Sequence, residues 1–321
     1  MVKILANDGI DPIGEKLLVQ AGYQLVVKNF AQDALADEIN QNNFNAVLVR
    51  SATKITKEII DKCPGIKLLG RAGVGIDNID VSHAEKKGIT VVNTPNASSR
   101  SVAELVFAHL LGMCRFLHES NREMPLSGDT HFKDLKSAFS KGIELKDKTI
   151  GIIGFGRIGK EVARMAYALG MHVVAYDRHF KGKVDLELSI HKHKIPFALE
   201  IISFPELLQK SDFISIHIST GKGEKSLISE KEFALMKKGV GIVNTSRGGV
   251  IDESDLMHAM NNGKVKFAGL DVFENEPEPS MKLLMQPTIS VTPHIGASTI
   301  EAQARIGEEL AKKVIEFFNS K

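Results

Sequence analysis

The chain has 321 residues, enough for two domains that each bury a core of their own. With 43% hydrophobic and 25% charged residues it has the composition of an ordinary globular protein. Its 41 Lys plus Arg against 39 Asp plus Glu leave a net charge of +2, which excludes a general basic field for nucleic acid or a membrane surface.

The first hundred residues alternate apolar runs with helix-like segments. The runs VKILA (2–6), QLVV (24–27), AVLVR (46–50), KLLGR (67–71) and TVVN (90–93) read as buried parallel strands, and 11–21 reads as one of the intervening helices. Next, VAELVFAHLLGMCRFLHES (102–120) has the length and character of one long helix. The stretch 121–148 is polar and reads as turn-rich. Cys63 and Cys114 make neither a disulfide framework nor a zinc site, so idle thiols in a reducing compartment are expected.

Residues 149–177, TIGIIGFGRIGKEVARMAYALGMHVVAYD, change the reading. An Ile-rich run precedes Gly154, Gly156 and Gly159, a helix-like stretch follows, and a second apolar run ends in Asp177. The first glycine permits a tight turn, the second lets backbone approach a pyrophosphate, and the third lets helix pack on strand. The pyrophosphate would meet the helix N-terminus, through the turn residues Arg157 and Ile158. Asp177, eighteen residues past the last glycine, would accept from the adenosine ribose hydroxyls and select NAD over a 2′-phosphorylated cofactor. Such a fingerprint normally opens its domain, so the alternating segment before it is a separate α/β domain.

Past Asp177, His191 and His193 sit in a Lys-rich stretch and read as solvated surface; no metal site is expected. Alternation resumes with DFISIHI (212–218), VGIVNTS (240–246), FAGLDVF (267–273) and ISVT (289–292), and an amphipathic helix over 299–318 closes the chain. Polar residues just after parallel strands converge on one crevice. Four stand out, Arg247, Asp271, Glu276 and His294. His294 can exchange a hydroxyl proton near neutral pH, Arg247 can hold a carboxylate through two hydrogen bonds, and Glu276 can fix the imidazole tautomer.

The order GFGRIG, TSRGGVID, LDVFENEP, TPHIGAS resembles the D-isomer-specific 2-hydroxyacid dehydrogenases over essentially the whole chain. That resemblance implies two Rossmann-like doubly wound domains, with an NAD domain (99–294) inserted into a flavodoxin-like substrate domain formed by 1–98 and 295–321. It implies Arg247, Glu276 and His294 as the catalytic set. Thr245, Ser246, Asp271, Gly296 and Ala297 are implied on the cofactor, with Asp271 holding the nicotinamide carboxamide. It further implies a homodimer with a small-molecule substrate, while the lack of any run of 18 or more apolar residues and of a signal-peptide layout in MVKILANDGI sets the expectation of a cytoplasmic protein.

The segments LVRSATKIT (48–56), GRAGVGIDNID (70–80), VNTPNASSRSVAEL (92–105) and HIGASTIEAQARIGEEL (294–310) look like the phosphoglycerate-oxidising branch of that family, which begins serine biosynthesis. There Arg50 and Arg71, with Ser51, would line a phosphate site in an interdomain cleft, and the backbone of Gly73, Val74 and Gly75 would hold the carboxylate. A glyoxylate or hydroxypyruvate reductase stays open as the alternative, as does an NAD-sensing corepressor on the same scaffold. Two departures bear on the cofactor. Ile218-Ser219 replaces the usual Thr-Pro, and Arg178 stands where proline often follows the ribose acid. The chain ends soon after the last motif, so a short form without a C-terminal regulatory domain is expected.

Overall fold

The structure, a computed structural model, describes residues 1–218 and 225–320. It divides into two compact units, Met1–Ser99 with the segment from Ala297 onward, and Arg100–Gly296. The second is inserted into the first.

In the first unit, β1 (Lys3–Ala6), β2 (Gln24–Val27), β3 (Ala46–Val49), β4 (Leu68–Arg71) and β5 (Thr90–Asn93) form one sheet in the order β2-β1-β3-β4-β5. Every pairing is parallel. This is the flavodoxin-like order. Successive strand residues point to opposite faces. Leu5, Val47 and Leu69 accordingly pack with Leu35, Ile39 and Phe44 on one side, and Ile4, Leu48 and Leu68 with Leu18, Leu310 and Val314 on the other. The helix Pro12–Gln20 starts at Asp11, whose side chain accepts from Ile13 N–H, with proline in the first turn. It runs so close to the helix Ile300–Asn319 that a Cβ on Gly14 would strike the backbone of Gly307.

The second unit carries β6 (Thr149–Ile153), β7 (His172–Tyr176), β8 (Gly182–Ile190), β9 (His193–Ile201), β10 (Phe213–Ile216), β11 (Val240–Asn244), β12 (Val265–Leu270) and β13 (Ile289–Val291). They are ordered β13-β12-β11-β10-β6-β7-β9-β8, a Rossmann-like sheet whose connection reverses between β6 and β10. All pairs are parallel except β8 with β9. That antiparallel hairpin, with His191 exposed in its turn, occupies a stretch for which the sequence reading assigned no strand.

Two further expectations need correction. The single helix over 102–120 is two helices, Ser99–Cys114 and Leu117–Ser127, broken at Phe116, which adopts a left-handed φ of 53°. The stretch 121–148 is not merely turns, because it holds the end of the second of these and the helix Phe132–Ala138. Both cysteines are buried, and burial pushes the Cys114 thiol up to about 11. No single helix among the described residues is long and apolar enough to cross a membrane, and among them no cluster of potential ligands could hold a metal ion.

Candidate active site

The glycine turn after β6 is built as a cradle. Gly154 has φ of 93°, open to glycine, and a Cβ there would collide with the carbonyl of His217. A Cβ on Gly159 would collide with the Gly154 carbonyl, so the helix Arg157–Ala168 lies directly on the turn. Above Gly156 a Cβ would meet nothing within 4 Å. Gly156 caps the twelve-residue helix without a side-chain hydrogen bond, so the first N–H groups remain for an anion. These residues fit a dinucleotide pyrophosphate.

Asp177, at the end of β7, is tied into the same turn. Its Oδ2 accepts from Phe155 N–H at 2.7 Å and its Oδ1 from His179 N–H at 2.8 Å. Each oxygen keeps a second acceptor site for a ribose hydroxyl. Asp177→Asn, which keeps the shape and removes the charge that repels a 2′-phosphate, should weaken NAD use and narrow the gap to NADP. The ratio of kcat/KM for the two cofactors checks this, and equal efficiency in the wild type would remove Asp177 as the selector. Ser219 lies outside the described residues; Ile218 is half-buried and Arg178 exposed.

His217, ahead of Ile218, was not singled out by motif. Its Nε2 is 2.7 Å from Ser215 Oγ, and burial pushes its pKa down to about 3, leaving a neutral ring behind the cradle.

The ends of β11, β12 and β13 bring the expected catalytic set together. Asn244, buried at the end of β11, shapes the turn that carries Arg247: its side-chain carbonyl accepts from Ser246 N–H and Oγ–H, and its amide donates to the Arg247 carbonyl at 2.9 Å. The sequence reading missed it. Arg247 Nη1 donates to the Ser246 carbonyl, and Thr245 is buried at the base of the turn. At Gly248 a Cβ would collide with the Phe273 carbonyl, so this turn packs directly on the one bearing Glu276.

His294 and Glu276 meet at 2.8 Å, Nδ1 to Oε2. The other Glu276 oxygen accepts from Phe273 N–H at 3.0 Å. Partial burial pushes the Glu276 carboxyl up, but hydrogen bonds from His294 and Phe273, with the charges of His294 and Arg247, outweigh it and hold the pKa below the usual carboxylate range. A carboxylate on Nδ1 leaves Nε2 as the ring nitrogen turned away from Glu276. His294 itself is exposed and sits at φ of 54°, a left-handed conformation uncommon outside glycine.

Asp271 anchors that conformation. It is 1% exposed, and its Oδ1 accepts from Thr292 Oγ–H at 2.6 Å and Ile295 N–H at 2.8 Å, while Oδ2 accepts from Gly296 N–H at 2.8 Å. Beyond the role that the resemblance implies, Asp271 therefore holds the loop on both sides of His294. Oδ2 retains one acceptor site.

In the other unit, Arg50 and Arg71 stand on neighbouring strand ends, Arg71 being paired with Val49. The loop of Arg50 and Ser51 is pinned by Asp8, whose Oδ2 accepts from the N–H groups of Arg50 and Thr53, and by Asn78, which donates to the Arg50 carbonyl at 2.7 Å. The Arg50 guanidinium donates to Gln303 Oε1, and Gln303 donates to the Ala297 carbonyl at 2.8 Å. Arg71 lies over Gly73, where a Cβ would strike its guanidinium. Asn93 fixes the Val74 carbonyl at 2.6 Å, and Gly75 follows half-buried.

A glycine cradle with an acid at the end of the following strand, and a His–Glu pair with an arginine at neighbouring strand ends, fit a nicotinamide-dependent oxidoreductase. Residues 107–296 match the D-isomer specific 2-hydroxyacid dehydrogenase, NAD binding domain. The chain is 41% identical over 318 residues to hydroxypyruvate reductase of Thermotoga maritima, covering 98% of this chain and 97% of that protein. It is 38% identical over 313 residues to D-3-phosphoglycerate dehydrogenase of Bacillus subtilis, covering 98% of this chain but spanning only 55% of that longer protein. The structure of D-lactate dehydrogenase from Aquifex aeolicus, complexed with NAD and lactic acid, superposes with a TM-score of 0.77 at 29% identity, over 99% of this chain and 96% of that one. The chain belongs to the D-isomer-specific 2-hydroxyacid dehydrogenases and is an NAD-dependent enzyme of that family.

Proposed function

We propose that the enzyme reduces a small 2-oxo acid of the hydroxypyruvate type to the D-2-hydroxy acid, and runs the reverse oxidation. The observation that carries the chemistry is the 2.8 Å pair of Glu276 with His294 Nδ1. NADH, held at the glycine cradle, would supply the hydride for C2. His294 Nε2 gives its proton to the carbonyl oxygen as the alcohol forms, and Glu276 steadies the charged imidazole beforehand. Arg247 holds the substrate carboxylate and carbonyl side. Asp271, Thr245, Ser246, Gly296 and Ala297 are assigned to the nicotinamide end of the cofactor. The choice of a three-carbon substrate rests on the 41% identity to a hydroxypyruvate reductase along nearly the whole of both chains. The homodimer and the cytoplasmic setting belong to the same proposal.

A second reading, oxidation of 3-phospho-D-glycerate to 3-phosphohydroxypyruvate, is favoured by Arg50 and Arg71 on adjacent strand ends. The two readings differ only by a phosphate on C3. A panel of hydroxypyruvate, glyoxylate and 3-phosphohydroxypyruvate with NADH separates them, and the first reading expects the highest kcat/KM on hydroxypyruvate. A preference for the phosphorylated acid overturns it. In that case Arg50→Ala or Arg71→Ala should raise its KM by about tenfold or more, the loss of one charge-assisted hydrogen bond.

A further inference from the structure

The helix Ser99–Cys114 carries a buried histidine that the chemistry above does not use. His109 is 2% exposed, with Nδ1 2.8 Å from Ser290 Oγ and Nε2 3.2 Å from Thr292 Oγ1. These hydroxyls lie in and just after β13. The Thr292 hydroxyl is already committed as a donor, 2.6 Å from Asp271 Oδ1, while Asp271 receives the N–H groups of Ile295 and Gly296 as well. The Thr292 oxygen must therefore accept from His109 Nε2–H, and Nδ1 must accept from the Ser290 hydroxyl. This arrangement defines one neutral tautomer. Burial favours it, pushing the His109 pKa below the usual imidazole range against the pull of Asp271. The fold makes room for the ring at Gly269 on β12, where a Cβ would come 2.8 Å from the His109 Cβ, two residues before Asp271, which follows the end of that strand.

We propose that His109 is a positioning residue for His294, acting through Thr292 and Asp271 to hold the loop in which His294 is displayed. Three members of that chain lie on separate elements, and together they bracket His294. Thr292 precedes it by two residues, and the Ile295 and Gly296 N–H groups follow it directly. His294 N–H donates to the Thr292 carbonyl at 3.1 Å, so a turn of Thr292 is passed to His294. Without the Nε2–H donor, the Thr292 hydroxyl keeps only its bond to Asp271, so its rotamer is held from one side in place of two and that anchor of the loop is loosened. The inference rests on the reading of His294 as the acid/base.

Four single variants, His109→Leu, His109→Gln, Thr292→Val and Thr292→Ser, and one double variant test it, with His294→Ala as the reference. His109→Leu should lower kcat about tenfold with KM and NADH affinity within about twofold, because a displaced acid/base costs rate and not binding. His109→Gln, which restores an N–H donor, should recover most of the loss. Thr292→Val should match His109→Leu, Thr292→Ser should stay near wild type, and the double variant His109→Leu/Thr292→Val should be no worse than Thr292→Val, since both cut one chain. Should His109→Leu fail to fold, the contrast of Thr292→Val with Thr292→Ser and the kcat of His109→Gln carry the same decision. Wild-type kcat in His109→Leu, or losses that multiply in the double variant, overturns the inference. So does a fall in NADH affinity that matches the fall in kcat without rescue by Gln. If His294→Ala is inactive while His109→Leu is normal, only the positioning role fails; if His294→Ala keeps its rate, the acid/base reading fails and the inference with it.

Discussion

If His294 is the acid/base, its replacement by alanine is expected to lower kcat by about 10² to 10⁴ while NADH binds nearly as before, because that role acts on the substrate proton and not on the cofactor. The geometry argues for a large effect. Nδ1 is committed to Glu276 at 2.8 Å, so Nε2 is left as the proton donor, and a methyl group at this position offers no substitute. Stopped-flow reduction of hydroxypyruvate, with a fluorescence titration of NADH, measures both quantities, and near wild-type kcat in the variant would remove His294 from the mechanism. The pair also sets a pH dependence. Glu276 titrates below the usual carboxylate range, so its pairing with His294 is complete above the ordinary carboxylate pKa and is lost only as pH falls through the depressed one. Acid loss of the pair should therefore come at a lower pH than for an ordinary glutamate. Glu276→Gln should abolish this transition while retaining more activity than His294→Ala.

The parallel strands were legible because each is an apolar run that ends abruptly in a polar or glycine residue, as in AVLVR and KLLGR. Strands buried on both faces need no alternation to be recognised. The β8–β9 hairpin was missed although Val184, Leu186 and Leu188 alternate along β8, because the basic turn around His191 drew the reading toward exposed coil. The helices Leu117–Ser127 and Phe132–Ala138 bury no residue, so neither presents an apolar stripe for periodicity to detect. The site divided in the same way. Gly154, Asp177, Arg247, Glu276 and His294 sit in contiguous motifs at strand ends. Asn244 was hidden inside a strand run, and His109 is separated by 181 residues from Ser290, a hydrogen bond that no spacing rule can disclose.

Asp271→Ala is expected to produce the largest loss of stability of any substitution at the site, because one buried carboxylate satisfies three donors there. A buried donor left without a partner costs about 1–3 kcal/mol, and since the Gly296 bond is buried while those of Thr292 and Ile295 are only partly so, the loss should be roughly 2–3 kcal/mol. Asp271→Asn separates charge from shape. If its carbonyl faces Thr292 and Ile295, its amide group must point at the Gly296 N–H, donor against donor. If it is flipped, the carbonyl takes the Gly296 N–H and the amide can donate to the Thr292 hydroxyl, which rotates to accept, but the amide then opposes the Ile295 N–H. Asparagine therefore leaves one of the three backbone or hydroxyl donors opposed in either orientation, and the hold on His294 is loosened even where the unit remains folded. A displacement of about 1 Å in a catalytic group can cost about 10²-fold in rate. Thermal unfolding should give an order of wild type, Asp271→Asn, Asp271→Ala from most to least stable, with kcat of Asp271→Asn reduced by at least about tenfold. An Asn variant with wild-type kcat and Tm would mean that the loop is held by its own backbone and that Asp271 serves the cofactor alone.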